Sequence, residues 1–121
     1  MIHLHPPVNM GKESFGKKEK IRRRNDYQAV YQGGARLHSK SFIVVVSPNQ
    51  EGITRLGVTV SKKVGNSVKR NRIKRLVREF FRLNKDRMPH STDIVCIARK
   101  TISSLDYKDV CSELEVMFEK L

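Results

Sequence analysis

The sequence predicts a single α+β domain in which helices pack on one small sheet. Three observations carry that prediction. Residues 41–48 (SFIVVVSP), 54–60 (TRLGVTV) and 92–98 (TDIVCIA) are short, β-branched runs. Residues 25–33, about 67–87 and 103–121 carry apolar residues at helical spacing. The order strand, helix, strand over residues 54–98 implies a crossover between parallel strands. A chain of 121 residues buries roughly two-thirds of its unfolded surface on folding, enough for one core.

Lys and Arg number 25 against 12 Asp and Glu, a formal charge of +13. That excess does not select a fold. It favours an anionic partner, nucleic acid first and an anionic membrane surface second. No run of about 18 apolar residues is present to span a bilayer. The first residues, MIHLHPPVNMGKESFGKKEK, lack the apolar core of a secretory signal. A cytoplasmic protein without a membrane partner is therefore expected. Cys96 and Cys111 lie in apolar patterns, so they are expected as small buried thiols in a reducing compartment. His3 and His5 form an isolated His-x-His, and no zinc-ligand spacing accompanies them.

Taken in order, residues 1–20 are expected as a basic flexible arm and residues 21–121 as the folded domain. The lack of apolar periodicity extends to about residue 24. Residues 25–33 read as a short helix with Asn25 as its cap and Gly33 and Gly34 at its end. Tyr27, Val30 and Tyr31 share a face at i, i+3, i+4. That face suits plain core packing, and it equally suits nucleobase stacking beside a basic surface. Residues 41–48 and 54–60 read as two strands of a hairpin joined by the loop Asn49-Gln50-Glu51-Gly52. Both faces of the first strand are apolar, so neither is simply solvated.

The long helix begins after the turn Gly65-Asn66-Ser67, with Asn66 or Ser67 as cap, and stops before Pro89. Ile73, Leu76, Val77, Phe80 and Phe81 fall on one side, and Asn71, Lys74, Arg75, Arg78, Arg82 and Lys85 on the other. The last helix is capped by Ser103, Ser104 or Asp106. Its core stripe is Val110, Leu114, Met117, Phe118 and Leu121, and it carries most of the nearby acids.

Residues 61–85, SKKVGNSVKRNRIKRLVREFFRLNK, hold ten of the 25 basic residues and a single acid, Glu79. Solvated helices usually mix signs for i, i+4 support. Here Lys74–Arg78 and Arg78–Arg82 are like pairs, each costing a few tenths of a kcal/mol. Such repulsion points to a polyanion in the working state. Arg predominates, and its planar fork suits phosphate. No helix-turn-helix spacing precedes this helix and no zipper follows it, so DNA is not expected. A basic helix on a sheet, with aromatics nearby, fits folded RNA with unpaired segments.

The block 58–81, VTVSKKVGNSVKRNRIKRLVREFF, resembles the signature of the bacterial ribonuclease P protein component. The triplet Arg70-Asn71-Arg72 with Lys74, Arg75 and Arg78 is similar to that family's arginine-rich motif. Ser61-Lys62-Lys63-x-Gly65-Asn66 and Ile97-Ala98-Arg99-Lys100 match as well. The resemblance spans roughly residues 20–120, and the stretch before about Lys18 has no counterpart in the pattern.

The resemblance implies a two-layer α/β sandwich. Its central sheet has about four mostly antiparallel strands, with three helices and a left-handed βαβ crossover. That hand runs against the general preference. It implies a subunit of a ribonucleoprotein endonuclease that removes the 5′ leader from precursor tRNA, with the RNA subunit and its Mg2+ doing the chemistry. The protein binds no cofactor of its own in this picture. Its implied partners are the catalytic RNA and precursor tRNA. Lys63, Arg70, Asn71, Arg72, Lys74, Arg75 and Arg78 are implied to face the catalytic RNA. Tyr27, Tyr31, Ile43 and Val45 are implied to line the cleft for the single-stranded leader. An aromatic residue is common in the family at the position of Val45.

The residues themselves agree with a non-catalytic role. No paired carboxylates, Cys–His pair or Ser/His/Asp set stands out, and His38 and His90 lie in loop-like stretches. Glu79 and Asp86 are too isolated for Mg2+-dependent phosphoryl chemistry by the protein. A structural ribosomal RNA-binding protein is the alternative, and a protein-only nuclease the second rival.

Overall fold

The structure, a computed structural model, describes residues 16–102 and 106–120. A four-stranded mixed sheet is built from β1 (Ala35–His38), β2 (Phe42–Pro48), β3 (Arg55–Thr59) and β4 (Thr92–Ala98), in the order β1-β2-β4-β3. Helices α1 (Arg24–Gly33), α2 (Ser67–Leu83) and α3 (Tyr107–Phe118) pack against it. β2 is antiparallel to both β1 and β4, whereas β3 runs parallel to β4. The expected α+β class, the mostly antiparallel sheet and the parallel pair around the long helix are all present.

The hairpin expected between residues 41–48 and 54–60 does not form. β4 lies between β2 and β3 and pairs with both. A strand with two apolar faces does not choose its neighbour by proximity in sequence. β4 is buried at every position but Ile97, so the centre of the sheet is where it hides most surface. The true hairpin joins β1 to β2, with His38 opposite Ile43. β1 escapes sequence reading because ARLH is four residues long and mostly exposed.

Alternation along the strands gives the sheet two apolar faces. Phe42, Val44, Leu56, Val58, Ile94 and Cys96 point to α2 and α3 and form the main core. Phe118 of α3 meets Phe81 edge-to-face at 5.1 Å and 90°, and Phe80 at 6.0 Å. The predicted stripe of α2 is buried at Ile73, Val77, Phe80 and Phe81, with Leu76 half-buried. Cys96 and Cys111 are buried and free.

On the second face three cross-strand rows follow from the register. They are Ser47–Asp93–Arg55, Val45–Val95–Gly57 and Ile43–Ile97–Thr59. α1 covers part of these rows, burying Val30 against Val45 and Val95. Gly34 lets the helix end this close. A Cβ there would stand 2.6 Å from Val45 Cγ1 and 2.6 Å from the Val30 carbonyl.

The caps and ends differ in part from expectation. Arg23, not Asn25, is the cap residue of α1, and it makes no side-chain cap bond. Asn66 caps α2 by accepting from the Lys69 N–H at 2.9 Å, a bond worth about 1 kcal/mol. α2 ends at Leu83, and a short 3-10 turn, Lys85–Arg87, follows. Asp106 caps α3. The alternative caps Ser103 and Ser104, and the stripe residue Leu121, lie outside the described residues.

Residues 1–15 of the expected arm, with His3 and His5, also lie outside them. The described part of that arm is docked. Lys17–Glu19 forms a 3-10 turn, Lys20 bridges to Leu56, and Ile21 is 4% exposed, its N–H donating to the Leu56 carbonyl at 2.9 Å. One apolar side chain in a basic run gave no periodic signal, yet it anchors residues 20–23 as a strap along the outer edge of β3.

Candidate nucleic-acid interface

The basic surface follows from how α2 is held. Four buried apolar residues fix its inner side, so its other side faces out. Asn71, Arg72, Arg75 and Arg78 are exposed, Arg70 and Lys74 are half-buried, and Lys63 is exposed on the preceding turn. Arg70 has a second duty, since Nη1 donates to the Gly65 carbonyl at 3.1 Å and braces the turn. The far end of the ridge is partly neutralised. Arg82 pairs with Glu79, its Nε donating at 3.2 Å, and Lys85 Nζ lies 2.9 Å from Glu19 Oε2. Lys63, Lys74, Arg75 and Arg78 have no carboxylate partner among the described residues. Of the seven residues expected to face a catalytic RNA, Asn71, Lys74, Arg75 and Arg78 thus share the outer side of α2, Arg70 and Arg72 flank it, and Lys63 stands on the turn that leads into it.

The cleft residues come together on the opposite face of the sheet. Tyr27, Tyr31 and Ile43 are half-buried around the buried Val30, Val45 and Val95, and Ile97 joins them. Val45 is 0% exposed. It lies beneath Tyr27, Tyr31 and Ile43 as the floor of the cleft. Both tyrosines pack against this cluster and keep part of their surface exposed. The ring centroids are 6.3 Å apart and tilted by 47°. The Tyr31 hydroxyl shares a hydrogen bond of 3.1 Å with Thr59 Oγ1. Ile97 and Thr59 belong to the open row of the cleft, and only the sheet register reveals them.

The ridge and the cleft meet at the edge of β3. The Tyr27 hydroxyl is held above its ordinary pKa, first by burial and then by the neighbouring Tyr31. Arg78 and a backbone hydrogen bond at Val58 oppose that rise. Tyr27, Arg78, Lys20 and Arg22 line a cavity of about 110 Å3 there, floored by Ile21, Leu56 and Val58. Tyr27 therefore belongs to the aromatic cleft and shares this cavity with Arg78 of the arginine ridge.

A buried ion pair sets the position of α1. Arg55 Nε and Nη2 donate to the two Asp93 carboxylate oxygens at 2.8 and 2.6 Å, and Asp26 of α1 stands 3.7 Å from Nη1. Asn49 Nδ2 donates to Asp93 at 2.7 Å and to the Ile53 carbonyl at 3.0 Å. The hydrogen bond to Asp93 leads the effects that hold the Arg55 pKa above its usual value, so the guanidinium stays charged. Two residues 38 positions apart give no sequence signal of pairing until β3 and β4 are known to be neighbours. Among the described residues, no helix is long and apolar enough to cross a membrane.

Comparison with known proteins adds family information to this geometry. A family model described as Ribonuclease P matches residues 15–121. A ribonuclease P protein component from Syntrophus aciditrophicus is 56% identical over 111 residues, covering 92% of this chain and 93% of its own. One from Desulforapulum autotrophicum is 43% identical, covering 93% of this chain and 96% of its own. Among solved structures, the RNase P protein from Thermotoga maritima superposes with a TM-score of 0.78 at 34% identity, covering 85% of this chain and 97% of its own. A Staphylococcus aureus RNase P protein mutant with defective mRNA degradation activity gives a TM-score of 0.81 at 34% identity, covering 86% and 88%.

Proposed function

The chain belongs to the ribonuclease P protein family, and on that premise we propose that it is the non-catalytic, RNA-binding subunit of a ribonucleoprotein that removes the 5′ leader from precursor tRNA. The observation that carries the reading is the meeting of two different RNA-binding chemistries at Tyr27 and Arg78. The arginine ridge offers charge to a folded phosphate backbone. The half-open tyrosines offer stacking faces to unpaired bases.

In this reading Lys63, Arg70, Asn71, Arg72, Lys74, Arg75 and Arg78 hold the catalytic RNA. Tyr27, Tyr31 and Ile43 grip the leader over the floor formed by Val45. The two RNAs meet at the edge of β3, where Arg78 neutralises phosphates next to a base stacked on Tyr27. The hydrolysis belongs to the catalytic RNA with its Mg2+. This chain contributes orientation, and it screens the repulsion between two phosphate backbones, which lowers the Mg2+ concentration the RNA requires. The compartment is the cytoplasm.

The test adds the purified chain to catalytic RNA at low Mg2+ and follows cleavage of precursor tRNA. Faster cleavage and a preference for precursor over mature tRNA are expected. Cleavage that does not improve would return the chain to the structural ribosomal alternative. Activity surviving exhaustive removal of RNA would make the chain a nuclease in its own right. Tyr27→Ala is expected to cost roughly 1–3 kcal/mol of precursor affinity while leaving mature tRNA affinity in place.

A further inference from the structure

The strap carries a second concentration of positive charge, separate from the ridge. The strap backbone is tied to Leu56 and Ile21 points inward, so the charged neighbours are left on the surface. Lys17, Lys18, Lys20, Arg22 and Arg23 are all exposed. Glu19, the acid among them, is taken by Lys85. The five cations have no carboxylate partner among the described residues. With Arg55 they surround an open basin of about 790 Å3, and Asp26 and Glu51 are its only acids among the described residues. Asp26 and Arg55 are already engaged with each other. Like charges anchored this closely repel, and nothing in the packing requires them.

The place of the basin identifies its occupant. Going down α1 from Tyr31 to Tyr27 to Asp26 follows the rows of the sheet from Thr59 to Gly57 to Arg55. An unpaired strand stacked on both tyrosines and extended toward the start of α1 runs directly onto the strap cations. Among the described residues that line it, Ile53 is the one apolar side chain and none is aromatic, so this lining suits phosphates and not bases. We propose that it takes the phosphate backbone of the single-stranded leader where that strand leaves the cleft, without regard to its sequence. The inference rests on the leader-binding function proposed above.

The experiment uses the holoenzyme and precursor tRNAs whose leaders are shortened stepwise from the 5′ end. The chain carries either its own sequence or Lys17→Ala, Lys18→Ala and Arg23→Ala together, which leaves the cations beside Tyr27 in place. With the unaltered chain, affinity rises with leader length beyond the nucleotides that fill the cleft. With the variant that later rise is lost, while short-leader and mature tRNA affinities are kept. The slope of log affinity against log salt for the longest leader falls by about 0.7 for each phosphate contact removed. A threefold exchange of Lys for Arg and Arg for Lys at these positions, which keeps every charge, restores the rise.

Length dependence identical to that of the unaltered chain overturns the inference. So does an equal loss for every leader and for mature tRNA, which assigns the cations to another RNA surface. Failure of the leader-binding reading itself looks different, because the unaltered holoenzyme then shows no preference for precursor over mature tRNA.

Discussion

A Cβ placed on Gly57 would stand 2.6 Å from Cε1 and 2.7 Å from the hydroxyl oxygen of Tyr27. The tyrosine ring therefore rests on bare strand backbone, at the one point in its row where β3 has no side chain. Gly57→Ala is expected to displace Tyr27 and to mimic Tyr27→Ala, with roughly 1–3 kcal/mol less affinity for precursor tRNA. Binding measured on precursor and mature tRNA side by side checks this. An alanine variant that discriminates as the unaltered chain does would show that the ring's seat is immaterial.

Arg70→Ala and Arg72→Ala are expected to weaken assembly with catalytic RNA and to lower its salt slope by roughly one for each lost phosphate contact. Arg70→Ala carries an added loss of stability, since its guanidinium also braces the Gly65 carbonyl. Arg70→Lys separates the two duties, because it keeps the charge and loses the fork. Filter binding over a salt series reads the slope, and an unchanged slope for both alanine variants would reject their phosphate role.

The Arg55–Asp93 pair is 16% and 8% exposed at its side chains. Asp93→Ala leaves Arg55 without its bidentate partner and is expected to cost about 2–4 kcal/mol of stability. Arg55→Met with Asp93→Leu is expected to recover much of that, because no buried charge is then left alone. Urea denaturation of the single and double variants reads the coupling. Strictly additive losses would mean that the pair contributes as two independent residues.

Burial raises the pKa of both thiols, Cys96 and Cys111. A thiol with a raised folded-state pKa contributes its full stability below the unfolded value, and that contribution is lost as pH climbs toward the folded one. The unfolded value is about 8.5. Stability is therefore expected to fall above about pH 8.5, by up to roughly 1.4 kcal/mol per pH unit for each thiol. Both thiols should resist alkylation at pH 8 until the chain unfolds. Denaturation midpoints at pH 7.5, 9 and 10 test the first statement and the mass shift on alkylation the second.

The fold class was legible because β4 and the stripes of α2 and α3 are strongly periodic and long enough to stand above noise. Residues 92–98 fall where the sequence put them. Strand order was not legible. TRLGVTV and SFIVVVSP look like partners because a short loop joins them, and only the burial of β4 separates them. The ridge was readable from charge spacing on one helix. The cleft depended on the family resemblance, because Tyr27 and Ile43 have no common period and meet through the register of β2 and β4. Thr59, Ile97 and the Arg55–Asp93 brace lay beyond reach for the same reason, since each is a relation between strands. The strap was hidden by its own charge, which masks the single inward Ile21.

The central position of β4 also sets an order of events during synthesis. Chains emerge from the N-terminus, and domains complete as their parts become available. Until residue 98 has been made, the β1–β2 hairpin and β3 share no hydrogen-bonded neighbour, because the strand that joins them is missing. α2 is then a basic helix with nothing complete to lie on, and α1 has only part of its floor. Arrival of β4 completes the sheet beneath both faces, and α3 then covers the main core. The nascent chain therefore presents its arginines before it has a cleft, and the two halves of its RNA-binding surface come into register only when the seventh residue of the last strand is in place.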